Sequence, residues 1–145
     1  MTLYLLDTNI ISDVVKPTPN PALAKWMFGQ EDASLFISSI TLGEIIKGIN
    51  QLPKGKKRTH LEEWFNGPQG PAQLFSGRVL DFDSASALAW GKHLAQDKAT
   101  GNQRGPIDVM IGSIAQVNGC VVATLNEKDF HRFEALNPTK VPEGS

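Results

Sequence analysis

The sequence predicts an α/β domain in which short strands alternate with helices, and three observations carry that expectation. Apolar runs of strand length, Leu3–Leu6, Leu35–Ile37, Val79–Leu80 and Cys120–Ala123, are separated by segments whose apolar residues recur with helical period. Alternation of this kind is the signature of βαβ units. Polar clusters follow the first and fourth runs, Asp7-Thr8-Asn9 and Asn126 to Asp129, where an open α/β sheet places its ligand crevice. Third, 145 residues with 41% hydrophobic and 20% charged content suit one domain able to bury a core. The chain is expected to form a single domain over 1–145, its core over about 2–137 and a short tail beyond.

The elements are justified in order. Thr8 to Val15 follows the first run with helical spacing, and Pro17, Pro19 and Pro21 break it before a second helix from Pro21 to Phe28. After Leu35-Phe36-Ile37, Ser39 or Thr41 can cap a helix whose apolar face is Ile45, Ile46 and Ile49. Glu44 sits in its first turns. Leu61, Trp64 and Phe65 give the segment Lys54 to Phe65 a helical face, and Pro53-Lys54-Gly55 turns it back as a helical hairpin. Asn66 to Gly77, rich in Gly and Pro, reads as a connection. The Ala-rich stretch Ser84 to Ala99 is a helix built for close packing. Pro106 suits the first position of the next helix, with Ile107, Met110, Ile111, Ile114 and Ala115 on its core face and Gly119 as its stop. Phe133 to Leu136 is expected as a last edge strand.

Composition limits the function classes. A net charge of −1 provides no general attraction to polyanions, so any contact with RNA must come from a local basic patch. The single Cys120 lies in an apolar run and reads as a buried thiol, which points to the reducing cytoplasm. No stretch has the ~18 uninterrupted apolar residues of a membrane span. His60, His93 and His131 are assigned surface or structural roles, not that of a base.

Asp7, Glu44 and Asp108 are expected to point into one cleft. Singly, Asp7 and Asp108 also read as helix-start acids, stabilised by free backbone N–H groups. Glu44, beside apolar residues, costs desolvation unless a cation or donor meets it. Together the three form a hard-oxygen set suited to Mg²⁺ or Mn²⁺, and the chain lacks the Cys/His spacing of a zinc site. Such an ion relieves the repulsion of clustered carboxylates, activates water and neutralises a phosphodiester's developing charge, so phosphodiester hydrolysis is the expected chemistry.

Four motifs, Leu5-Leu6-Asp7-Thr8-Asn9, Thr41-Leu42-Gly43-Glu44-Ile45, Ile107 to Ala115 and Val122 to Phe130, occur in the order of a known family. In these the chain resembles a PIN domain, and within that family a VapC-type toxin. The resemblance implies a three-layer α/β fold with a short, mostly parallel sheet between helices. It implies a Mg²⁺- or Mn²⁺-dependent endoribonuclease of a type II toxin–antitoxin module, homodimeric and silenced by a VapB-like antitoxin. By the same match Asp7, Glu44 and Asp108 are the acidic ligands, Thr8, Asn9 and Thr124 support them, and either Asn126 or Asp129 completes the catalytic set. Many members carry a further acid just before the third motif, whereas Gly105-Pro106-Ile107 stand here, which leaves one metal or two open.

Lys54, Lys56, Lys57, Arg58 and Arg104 are expected to contact RNA phosphate. Trp26, Trp64 and Trp90 are assigned to core or subunit packing, and the helices from Pro21 and from Thr41 to Phe65 to a groove for an antitoxin helix. Two other functions stay in view: a noncatalytic PIN-like partner-binding domain, and a phosphoryl-transfer protein using Asp7 as nucleophile.

Overall fold

In the computed structural model, which describes residues 1–142, five parallel strands are ordered β3-β2-β1-β4-β5. They are β1 Leu3–Leu6, β2 Leu35–Ser38, β3 Val79–Leu80, β4 Cys120–Ala123 and β5 Ala135–Leu136. Around them lie α1 Thr8–Val14, α2 Pro21–Phe28, α3 Ser39–Asn50, α4 Lys56–Asn66, α5 Pro71–Leu74, α6 Ser84–Thr100 and α7 Pro106–Val117. The connection expected over Asn66 to Gly77 holds the single turn α5, started by Pro71 at the position where its missing N–H is harmless. The last strand is shorter than expected, and the cap of α3 is Ser38, whose Oγ accepts from Thr41 N at 3.0 Å, in place of Ser39 or Thr41.

Strand period two divides the core between the faces of the sheet. Leu6, Leu35, Ile37 and Ala123 face one way, against Ile10, Leu23, Ile45 and Ile49 from the first helices. Leu5, Cys120 and Val122 face the other way, against Ile111, Ile114, Ala115 and Phe130. The result is helix, sheet, helix, with β1 completely buried at Leu5 and Leu6. Cys120 is buried, as expected for a thiol in an apolar run. Trp26 packs edge-on to Tyr4, and Trp90 edge-on to Phe82.

The strand order explains where a site can form. The chain builds outward from β1 through β2 to β3, then returns to place β4 and β5 on the other side of β1. Connections therefore diverge between β1 and β4, leaving a crevice at the carboxyl ends of those two strands. In register, Leu6 lies beside Ala123, so the next residues, Asp7 and Thr124, are neighbours across that crevice. No helix among the described residues is long and apolar enough to cross a membrane.

Candidate metal-dependent active site

Asp7 enters the site directly from the sheet. Its backbone N–H extends the strand ladder to Ala123 O at 2.9 Å, and its carboxylate caps α1 by accepting from Thr8 N at 2.8 Å. The second oxygen accepts from Thr124 Oγ1 at 2.9 Å, and the residue is 6% exposed. Thr124 in turn accepts from Asn126 N at 3.0 Å and Asn9 Nδ2 at 3.3 Å, while Asn9 Oδ1 accepts from Leu125 N. Thr124 and Asn9 thus lock the loop after β4 onto the start of α1. The helix-cap and site readings of Asp7 hold together, because its two oxygens do different work.

Glu44 is held from below by hydroxyl groups. Thr8 Oγ1 donates to Glu44 Oε1 at 2.6 Å, which uses its only proton. Thr41 Oγ1, 3.1 Å from Thr8 Oγ1, must then donate to it, and Ser38 Oγ donates to Thr41 Oγ1 at 3.3 Å. A file of three hydroxyls runs from the end of β2 to the Glu44 carboxylate. Ser38 does not stand out in the sequence, and Thr41 does so only as a possible cap and a motif member; the signal that marks the pair is two hydroxyl residues at a strand-to-helix junction just before an acid.

Asp108 occupies the first turn of α7, half-buried, with Gly105 as the N-cap. Burial, and then the charges of Asp7, Asp129 and Glu44, push its pKa up to about 6. Asp7 is raised chiefly by burial, opposed by its bonds from Thr124 and Thr8 and reinforced by Glu44 and Asp129. The four acids therefore lie in one another's field, although they come from β1, α3, α7 and the 3-10 turn Glu127–Phe130. Asp129 is exposed on that turn and acts on both Asp7 and Asp108, whereas Asn126 is exposed and neutral and contributes its backbone N–H to Thr124.

The expected convergence on one point is not met as it stands. Among the described residues no three His, Cys, Asp or Glu side chains are gathered closely enough to hold a single ion. The acids share a field but not a coordination sphere. In kind the set fits a hard divalent cation: all donors are oxygen, and burial, with the neighbouring carboxylates adding to it, raises Asp7 and Asp108, which a cation would reverse. Asp7 is held by Thr8 N–H and Thr124 Oγ1, and Glu44 by Thr8 Oγ1.

The raised Asp108 carboxyl has a stability consequence. Its folded pKa exceeds that of an unfolded Asp, so the unfolded chain releases this proton first and metal-free stability falls as pH rises from about 4 to about 6. Above that range the penalty is constant. Asp108→Asn should remove it and stabilise the metal-free protein at pH 7 by about 1 kcal/mol, after discounting for solvent screening. Urea unfolding in EDTA at pH 4.5 and 7 checks this; a variant that is less stable at pH 7 contradicts the assigned field.

The basic residues divide. Lys54, Lys56 and Lys57 are exposed at the start of α4. Arg58 is partly committed, donating to Glu62 Oε1 at 2.8 Å and to Leu52 O at 3.2 Å. Arg104 corrects the expectation of a phosphate contact. Its side chain is 5% exposed and paired with Asp97 at 2.8 Å, so its guanidinium faces inward and not toward solvent.

Comparison with known proteins agrees with this architecture. Residues 4–136 match the PIN domain family. A VapC ribonuclease, Y4jK of Sinorhizobium fredii, is 33% identical over 138 residues, covering 94% of this chain and 97% of that protein. Toxin FitB of Neisseria gonorrhoeae is 31% identical over 128 residues, or 88% of this chain and 91% of that protein. The crystal structure of FitAcB from Neisseria gonorrhoeae superposes with a TM-score of 0.88 at 29% identity, covering 96% of this chain and all of that one. With the fold, the order of its motifs and these relatives in agreement, the chain belongs to the PIN domain family.

Proposed function

We propose that the protein is a Mg²⁺- or Mn²⁺-dependent endoribonuclease and the toxin of a VapBC-like type II toxin–antitoxin module. The observation that carries this is the placement of four acids at the crevice between β1 and β4, where Glu44 and Asp129 add to burial in raising the pKa of Asp7 and Asp108. The ribonuclease and toxin relatives, each matched over most of its length, support the activity and the cellular role.

Asp7, Glu44 and Asp108 would hold the ion, with Asp129 rather than Asn126 as the fourth acid because its charge already acts on two of the others. When bound, such an ion lowers the pKa of coordinated water and neutralises charge developing on the phosphodiester. The chain's own groups supply the rest. Thr124 and Thr8 N–H fix the Asp7 oxygens, and the hydroxyl file from Ser38 through Thr41 and Thr8 aims Glu44. Against the alternative of Asp7 as a covalent nucleophile, Asn9 stands two residues on, where a second acid would be expected.

Lys57 lines the same groove as Glu44, which supports the exposed Lys54, Lys56 and Lys57 as contacts for RNA phosphate. That groove, of about 880 Å³ between α1, α3 and α4, is floored by Ile45, Ile49, Leu52, Leu61 and Trp64 and fits the apolar face of an antitoxin helix. The α2 surface expected to share it is not part of its lining. A homodimer and a cytoplasmic location belong to the same reading, and Leu88, 70% exposed on α6, offers apolar surface to a second copy.

Purified protein incubated with structured RNAs should cut them with Mg²⁺ or Mn²⁺ and not in EDTA. Absence of cleavage under every condition would leave the noncatalytic partner-binding reading. Replacing Lys54, Lys56 and Lys57 by Ala should weaken RNA binding and flatten its dependence on salt, by about 0.7 in the log–log slope for each phosphate that is no longer neutralised. An unchanged slope removes these lysines from the RNA path.

A further inference from the structure

Arg104 lies away from the RNA surface that its charge suggests, and its actual position gives it different work. The guanidinium is built into a junction of three segments. Nε donates to both Asp97 oxygens on α6 at 3.1 and 2.9 Å, and Nη1 donates to His131 O at 2.6 Å, just beyond the turn that bears Asp129. Nη2 lies 2.8 Å from Asp97 Oδ1 and 3.1 Å from His93 Nδ1. Because Arg has no acceptor, His93 Nδ1 accepts, and its Nε2–H therefore donates to Gln116 Oε1 at 2.8 Å on α7. The planar group also lies 5.0 Å from the centre of the Phe133 ring.

Two of the segments joined here lead to acids of the centre. The next residue, Gly105, caps α7 and approaches the Asp108 carboxylate so closely that a methyl on Gly105 would be 3.1 Å from Oδ2. On the other side, Arg132 takes a left-handed turn at φ 73°, between His131 and Phe133, both of which meet the Arg104 guanidinium. Phe133 packs against Gly112, one turn along α7 from Asp108. We propose that Arg104 is a positioning residue that sets the separation of Asp108 from Asp129 by clamping the start of α7 to the segment after β4. The proposal rests on the nuclease reading for its consequence, and on the clamp itself for its geometry.

Three Arg104 readouts test it. Arg104→Lys keeps a charge for Asp97 but lacks the fork that reaches His131 O at the same time. Arg104→Gln removes both. Each should lower kcat by about tenfold or more and weaken Mn²⁺ binding by a similar factor, as outer partners of a metal site do, with KM for RNA within about twofold. In metal-free protein, amide hydrogen exchange should speed up over residues 105–109 and 127–133 and not in β1 or β4. If Arg104→Gln does not fold, Arg104→Lys and Phe133→Leu carry the same measurements. Full recovery in Arg104→Lys reduces the residue to a simple ion pair, and a raised KM at unchanged kcat makes it a phosphate contact; either result overturns the clamp. Should the wild type cut no RNA, the functional reading fails, and the exchange pattern still decides the clamp by itself.

Discussion

Asp7→Asn leaves a folded protein whose RNA cleavage is lower by about a thousandfold or more, since the several kcal/mol that a metal centre supplies are withdrawn at the barrier. The fold survives because Asn accepts the Thr8 N–H as Asp7 does, keeping the α1 cap. One hydrogen bond becomes imperfect. Thr124 Oγ1 already accepts from Asn9 and Asn126, so its proton must point at position 7, where an amide nitrogen cannot accept it. That loss, about 1 kcal/mol, is offset by removing one of four mutually repelling carboxylates. A melting temperature within a few degrees of wild type, with cleavage gone, is the expected pair of results. Cleavage that persists refutes the site assignment, and unfolding shows that Asp7 is principally a structural cap.

Gly112→Ala is expected to cost about 1–3 kcal/mol of stability, the usual range for overpacking a tight interior. A methyl on Gly112 would enter the space of the Phe133 ring. A flexible side chain could swing away at little cost. Phe133 is restrained, because the Arg104 guanidinium covers it at 5.0 Å, His93 packs on it with ring centres 4.4 Å apart, and it packs, partly buried, against the core beneath α7. For a chain of this size the melting temperature should fall by about 2–4 °C per kcal/mol. A shift of the helix would carry Asp108 with it, so cleavage should drop further than the loss of folded protein explains. A variant as stable and as active as wild type would show that the Phe133 packing is slack.

What could be read from the chain followed the range of the interactions. Leu3–Leu6 and Cys120–Ala123 declare themselves as buried strands because burial on both faces demands unbroken apolar runs. Pro106 and Gly119 bracket α7 for backbone reasons that need no partner. Asp7, Glu44 and Asp108 stand out because acids at strand ends and helix starts are conspicuous and because their motifs resemble those of a family. Arg104 misleads for the opposite reason. Its partner Asp97 lies in the preceding helix, and only the packing of α6 on α7 reveals that the two are buried together. The Ser38–Thr41–Thr8 file is similarly hidden, since it joins the end of β2 to the start of α1 through side chains distant in sequence. Nor does sequence tell a shared field from a closed cage of ligands.

The outermost strands, β3 and β5, pair over two residues each. So brief a border gives a neighbouring chain almost no row of open amide and carbonyl groups on which to graft another strand. A cell that makes this protein faster than it makes a binding partner should therefore accumulate discrete molecules instead of cross-linked fibrils.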